Sequence, residues 1–484
     1  MSNSSTTTSA SALTFIITGG GISGLTCAYL LRRSGHDVIV LEKSSRKAQV
    51  TTEHGGVRIP PNMMRLLQEL PGTEELLKTK ASKCAGIMFH QCKDNERAQL
   101  VGQMIFAQEI MDDLGCDFYF IPHKDLHEYL YALCLNKGVD VRHEFDVAKV
   151  ETSKLPSVGP SPRVFNTSGD SVTGDIIIGA DGKNSAVRQF LLAEQEEAEE
   201  ADSSTEYSSE KSSLSPVKAI VGATLSIPVS LLRSDPELKP FLGGENHWMV
   251  YMGNGTSIAM AEYGPDLYLI DLTYGQPPLP EDEDEDWLSN GSTVESVLNR
   301  AQEYDPRVQK ILALGQKSHW NIQTVYDLQR YVSELNQVVV IGDAAHSIYI
   351  NGTQNTAASF EDAFTLGRLF SRYSSKSNAS FLLNGYNQIQ QQRTRAMEKS
   401  EMSTMLLLGI PPGSEREGRN NGFRLTLNLD GADDETLERV WAGYVAQFNY
   451  DARDAVDEWW MTWARPGNRD SSIVGGVSVI SSAP

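Results

Sequence analysis

The segment from Leu13 to Glu42 constrains the chain most. A short apolar strand, Leu13 to Thr18 (LTFIIT), runs directly into Gly19, Gly21 and Gly24, spaced as G-x-G-x-x-G. A helical run follows (ISGLTCAYLLRRSG), then a second strand, Asp37 to Leu41, ending in Glu42, 18 residues beyond Gly24. This order predicts one half of a doubly wound α/β fold with a dinucleotide at the glycine turn. Gly19 permits the tight turn, Gly21 lets the backbone approach a pyrophosphate, and Gly24 lets helix and strand pack closely. The phosphates would sit at the helix N-terminus, whose unpaired N–H groups and dipole favour negative charge. Glu42 stands where an acid binds a ribose hydroxyl, which implies an adenosine with a free 2′-OH. These residues leave FAD and NAD equally open.

Composition narrows the class. Of 484 residues 40% are hydrophobic and 22% charged, as in a globular protein of two or three domains. The 63 acidic against 42 basic residues give a net charge of −21, so the surface repels phosphate backbones, which argues against nucleic acid as a partner. The sequence shows no apolar run long enough for an integral membrane segment. Five cysteines without a C-x-x-C pair suit a reducing, cytoplasmic compartment and neither a disulfide framework nor a metal site.

Along the chain, residues 1–12 read as a disordered tail. Residues 193–216, rich in Glu and Ser without apolar periodicity, read as a mobile loop. Pro277 to Asp286 (PPLPEDEDED) reads as a solvated turn, with a charged docking surface as the alternative. His247 to Met252, Ser257 to Glu262 and Asp266 to Thr273 are β-branched and aromatic-rich, and predict an antiparallel sheet within 217–329. Residues 13–192 and 330–400 then form the α/β dinucleotide domain in two parts, and 401–484 a helical region.

Three further stretches carry a family resemblance: Gly55 to Leu67 (GGVRIPPNMMRLL), Gly174 to Arg188 (GDIIIGADGKNSAVR) and Val338 to Ala363 (VVVIGDAAHSIYINGTQNTAASFEDA). In order and spacing they resemble the motifs of the single-component flavin-dependent aromatic hydroxylases, the class of p-hydroxybenzoate and salicylate hydroxylases. The similarity covers roughly residues 13 to 400. It implies a Rossmann-type FAD-binding domain with an inserted antiparallel β-sheet substrate domain and a helical C-terminal region. It places Gly55 and Gly56 against the flavin, Asp181 beside the pyrophosphate and the path of NADPH, and Asp343 on the ribityl hydroxyls. The helix after Asp343 would turn its N-terminal N–H groups, near Gln354 to Thr356, toward the pyrimidine edge of the flavin. FAD would be bound non-covalently and NAD(P)H would dock as a transient co-substrate, since no second G-x-G-x-x-G exists.

The chain departs from the family pattern in two places. His123 stands where the family carries an arginine toward FAD, so the contact falls to a shorter side chain or passes to Lys124. Ile350 and Thr353-Gln354-Asn355 replace the usual proline and G-Q-G. Arg188 is the candidate catalytic residue, because similar hydroxylases use an arginine at the domain junction to orient an anionic substrate; a structural arginine paired with an acid is the alternative. His54 and His123 could approach the flavin closely enough for a covalent link, and His346 is expected to bond backbone within its own turn. Trp248, Met249, Tyr251 and Met260 suggest an apolar substrate pocket or, equally, a sheet core.

The resemblance thus implies a monooxygenase that uses NAD(P)H and O2, through a flavin C4a-hydroperoxide, to hydroxylate or epoxidise a hydrophobic aromatic or polycyclic small molecule, with secondary metabolism as a setting. The alternatives are a flavin-dependent reductase or halogenase-like enzyme, for which the W-x-W-x-I-P signature is missing, and a non-catalytic FAD-binding scaffold.

Overall fold

In the computed structural model, the described residues are 12–464, except 52–54, 94, 153–160, 203–216, 243, 275–296, 300, 316, 326–327, 350 and 430–432. His54 and the acidic run Pro277 to Asp286 lie outside them.

Five parallel strands form the first layer, in the order Val338–Val340, Ile176–Gly179, Thr14–Thr18, Asp37–Leu41, Asp140–Arg142. The strands Val338–Val340, Ile176–Gly179 and Thr14–Thr18 are mostly apolar because they are covered: the helices Ile22–Arg33 and Asn355–Phe370 pack on each other and share their core, and so do Val150, Val164 and Val172 of a separate three-stranded antiparallel sheet. Chain order reverses between Thr14–Thr18 and Ile176–Gly179, so a crevice opens at the carboxyl ends of those two strands, where Gly19 and Asp181 lie.

The second layer is a seven-stranded sheet in the order Lys317–Val325, Val217–Pro228, Leu267–Tyr274, Thr256–Glu262, His247–Met252, Gly86–Gln91, Gln99–Ile105. It is antiparallel apart from the parallel pairing of His247–Met252 with Gly86–Gln91. The sheet therefore does not begin at residue 217, since it borrows two strands from the stretch assigned to the nucleotide domain. That pairing joins segments about 160 residues apart, which local pattern cannot reveal. The helix Ala186–Asp202 also runs into the stretch read as a loop from 193, because Ala, Glu and Gln are strong helix formers whatever their polarity.

Alternation gives the large sheet two unlike faces. Leu225, Ile227, Tyr251, Ile258, Met260, Tyr268, Ile270 and Leu272 fill one core on its far side. Of the four residues suggested as a substrate pocket, Tyr251 and Met260 belong to that core and Met249 packs against it, while Trp248 faces the other way. Residues two apart share a face, so no single pocket could have held all four. The C-terminal helices close the molecule: Trp459 packs on Phe381 and Trp441 on Phe106, as helix-packing residues do. No helix among the described residues is long and apolar enough to cross a membrane.

Candidate active site

The turn after Thr14–Thr18 is built as its glycines require. Gly19 sits at φ +100°, and a Cβ there would lie 2.2 Å from the Ala180 carbonyl oxygen. At Gly24 a Cβ would lie 2.1 Å from the Gly19 carbonyl oxygen, so this glycine serves packing. Gly21 differs, for nothing lies within 4 Å of its missing Cβ, and its backbone is open to an incoming group. Glu42 braces the turn, one carboxylate oxygen accepting from the Gly20 N–H (2.8 Å) and the other from the Ser44 N–H (2.8 Å).

A cleft of about 420 Å³ opens over this turn and brings together Gly19, Gly21, Glu42, His123 and Asp181. Lys43, Lys124 and His127 also line it. His127, which the sequence reading did not single out, lies one helical turn beyond His123, and its Nε2 is 2.8 Å from the Gly20 carbonyl oxygen. The i, i+4 spacing of two histidines was the available signal. Asp181 accepts from the Ser185 hydroxyl (2.5 Å) and the Ala186 N–H (2.8 Å), closing the start of the next helix; burial raises its pKa.

The remaining expected residues stand elsewhere. Gly55 has φ +75°, and the adjoining Gly56 fits flat on Tyr263, whose ring a Cβ would meet at 2.1 Å. Asp343 accepts from Asn355 Nδ2 (3.0 Å), linking the strand end to the Asn355–Phe370 helix, whose first turn contains Thr356. His346 does not use its ring within its own turn as expected: Nε2 pairs with Asp362 (2.9 Å), which also accepts the Gly342 N–H (2.7 Å). A carboxylate from the neighbouring helix reaches this imidazole, and it raises the pKa against the opposing effect of burial.

Arg188 is 1% exposed. Its two terminal nitrogens donate to the backbone carbonyls of Asp343 (3.0 Å), Ala344 (3.4 Å) and Lys183. It clasps the two aspartate-bearing turns together, and carbonyls, not an acid, are its partners in these bonds.

Three residues unremarked in the sequence meet where the nucleotide domain faces the large sheet. Arg58 pairs with Asp271, donates to the carbonyls of Asn351 and Gly352, and lies 4.6 Å from the centre of the Trp248 ring. Glu401, from the long helix Lys376–Leu408, accepts the N–H groups of Thr353 and Gln354, both at 3.0 Å. The signals were present: Arg58 and Asp271 are charges inside otherwise apolar strands.

Burial pushes the Glu401 carboxyl from 4.5 up to about 7. The folded chain therefore holds a proton that the unfolded chain releases, so the stabilisation is complete below the ordinary carboxyl pKa and is lost as pH rises through about 7. Between about pH 5 and pH 8 the wild type should lose on the order of 3 kcal/mol through this group. Urea denaturation of Glu401→Gln should show that slope removed, with the variant more stable than wild type at the alkaline end.

The donors and open backbone of the cleft suit the ADP half of FAD: bare N–H groups at a helix start, an acid beside the glycine turn, and an empty position at Gly21. Comparisons agree. A model of the FAD binding domain matches residues 12–401. Hispidin-3-hydroxylase of Neonothopanus nambi is 25% identical over 403 residues, 79% of this chain and 86% of its own. For 3-hydroxybenzoate 6-hydroxylase of Klebsiella oxytoca the figures are 25% over 407 residues, 84% and 91%. Among solved structures, FqzB has a TM-score of 0.69 at 19% identity, covering 96% of this chain and 97% of its own. HpxO of Klebsiella pneumoniae, solved with FAD and uric acid, has a TM-score of 0.60 at 19% identity, covering 93% and 96%. These two structures share the fold. With most of its length under one family model, and a glycine cleft shaped as that family requires, this chain belongs to the FAD binding domain family.

Proposed function

We propose that the protein is an FAD-dependent monooxygenase that uses NAD(P)H and O2 to hydroxylate or epoxidise a hydrophobic aromatic or polycyclic small molecule. The observation that carries this reading is that relatives named as hydroxylases match over 79% and 84% of the chain, far more than a nucleotide-binding unit alone. Fungal relatives named as FAD-dependent monooxygenases support a setting in secondary metabolism. Five buried cysteines suit a cytoplasmic location.

Gly19, Gly21, Glu42, His123 and Asp181 would hold the ADP half of the cofactor. Gly55, Gly56, Asp343 and Thr356 would hold the flavin half, with the N-terminal turn of the Asn355–Phe370 helix facing its electron-rich edge. Bound FAD supplies the redox chemistry, accepting hydride and activating O2. The chain's own contribution is placement and shielding. Arg188 acts as a positioning residue that fixes the Asp343 turn relative to the Asp181 turn. The sheet and the C-terminal helices exclude water from the junction.

Anaerobic addition of NADPH or NADH to the FAD-loaded protein should bleach the flavin absorbance, and air should restore it. In air, at least one phenol should accelerate NAD(P)H oxidation. A flavin that neither nucleotide reduces would overturn the monooxygenase reading in favour of a scaffold.

A further inference from the structure

The segment that carries the chain from the Asp343 turn to the Asn355–Phe370 helix is held between two buried charges. Its carbonyls at Asn351 and Gly352 accept from Arg58, and its N–H groups at Thr353 and Gln354 donate to one oxygen of Glu401, both at 3.0 Å. The other Glu401 oxygen lies so close to Gly352 that a Cβ there would meet it at 2.3 Å, so glycine is what lets the carboxyl reach this place. Gln354 is the N-cap of the helix, and the first-turn N–H groups of Asn355, Thr356 and Ala357 have no partner within the helix. The positive end of the dipole is therefore shared: Glu401 takes the donors on one side, and those that remain are the ones turned toward the flavin in the proposed function.

Glu401 makes no ion pair among the described residues. Arg58, the cation within its electrostatic reach, is committed to Asp271. Tyr444, from the helix Asp434–Phe448, is a phenol that burial, with the Glu401 charge adding to it, pushes up to about 12. Glu398, on Glu401's own helix, accepts the Ser347 N–H (2.9 Å). Burial outweighs the two N–H bonds and the attraction of Arg58, and holds the Glu401 carboxyl at about 7. A buried acid without a cation costs stability where a neutral glutamine would not, so packing gives no reason for an acid here.

Resting on the flavin placement of the proposed function, we propose that Glu401 is a proton-coupling residue for the bound flavin: its carboxylate takes up one proton when the flavin is reduced and gives it back on reoxidation. Reduction by hydride brings two electrons and one proton to the flavin, and so adds one negative charge. The further proton passes from solvent to Glu401 and converts carboxylate to carboxylic acid with no change of oxidation state, so the charge around the helix start is the same before and after. Two negative charges at one helix start repel. Protonation removes the one that belongs to the protein, and the carbonyl oxygen of the acid still accepts both N–H groups. Glu401 is thus a positioning residue that acts on the flavin through the helix start.

The test is the midpoint potential of the FAD-loaded protein between about pH 6 and about pH 9, by dithionite titration against indicator dyes, for wild type and Glu401→Gln. Glutamine keeps an oxygen for both N–H groups and does not titrate. The wild type should become harder to reduce than the variant as pH rises, the gap widening by about tenfold in the reduction equilibrium, about 30 mV for a two-electron couple. The His346–Asp362 pair is present in both proteins, so its titration cancels in the comparison. A gap that stays constant with pH would mean a structural role alone and would overturn the proposal. In infrared difference spectra at about pH 8, reduction of the wild type should produce a carboxylic acid band that Glu401→Gln lacks. Identical carboxyl regions in the two proteins would overturn it as well. Dithionite needs no nicotinamide, so these outcomes are read even where NAD(P)H fails to bleach the flavin, and the two failures stay distinct.

Discussion

Gly21→Val protein should fold as stably as the wild type and come off the column colourless. The reason lies in the contrast between the glycines of one motif. A Cβ at Gly21 would meet nothing within 4 Å, so the apoprotein should accommodate a small side chain there, which would occupy the space through which a pyrophosphate reaches the backbone. The expected loss of FAD affinity is about two orders of magnitude or more, roughly 3 kcal/mol. Gly24→Ala has the opposite signature. Its Cβ would sit 2.1 Å from a backbone oxygen of the same turn, so melting temperature and cofactor content should fall together. Flavin fluorescence titration with thermal melts separates the two, and a Gly21→Val protein that retains FAD would place the dinucleotide elsewhere.

The second large effect is expected at Arg188. Replacement by Met should destabilise the apoprotein by about 4 kcal/mol, because three carbonyls lose a charged donor in a site closed to water. Weaker FAD binding should accompany this, since the Asp343 turn loses its link to the Asp181 turn. Lysine reaches fewer carbonyls and should recover only part of the stability. A substrate-orienting arginine would give another pattern: an unchanged denaturation midpoint, normal FAD content and a raised KM. Denaturant unfolding of Arg188→Met without cofactor decides between the two roles.

These contrasts show how far the sequence can be read. The glycine turn was legible because its chemistry is local: strand, turn and helix are contiguous, and Glu42 follows at a fixed distance. The gathering of His123 and Asp181 into the same cleft was legible only through the family motifs, since 58 residues separate them. Arg188 shows the limit. Motif position brought it to the junction, but its partners are carbonyls 155 and 156 residues away, and no pattern of charges announces a carbonyl. His346 is similar, its partner arriving from the next helix. The Arg58 and Asp271 pair left a trace, a charge amid apolar strand residues, yet which two charges meet depends on strand register across domains. The helix Ala186–Asp202 was read too short, its part from Ala193 taken for a loop, because polarity was read as looseness where intrinsic propensity favoured helix.

FAD is expected in the cleft above Gly19 and Gly21. The visible spectrum of the purified protein, with acid precipitation afterwards, tests it most directly. Bands at about 370 and 450 nm that pass into the acid supernatant are the predicted result for a non-covalent flavin. A colourless protein that free FAD cannot reconstitute would contradict the account.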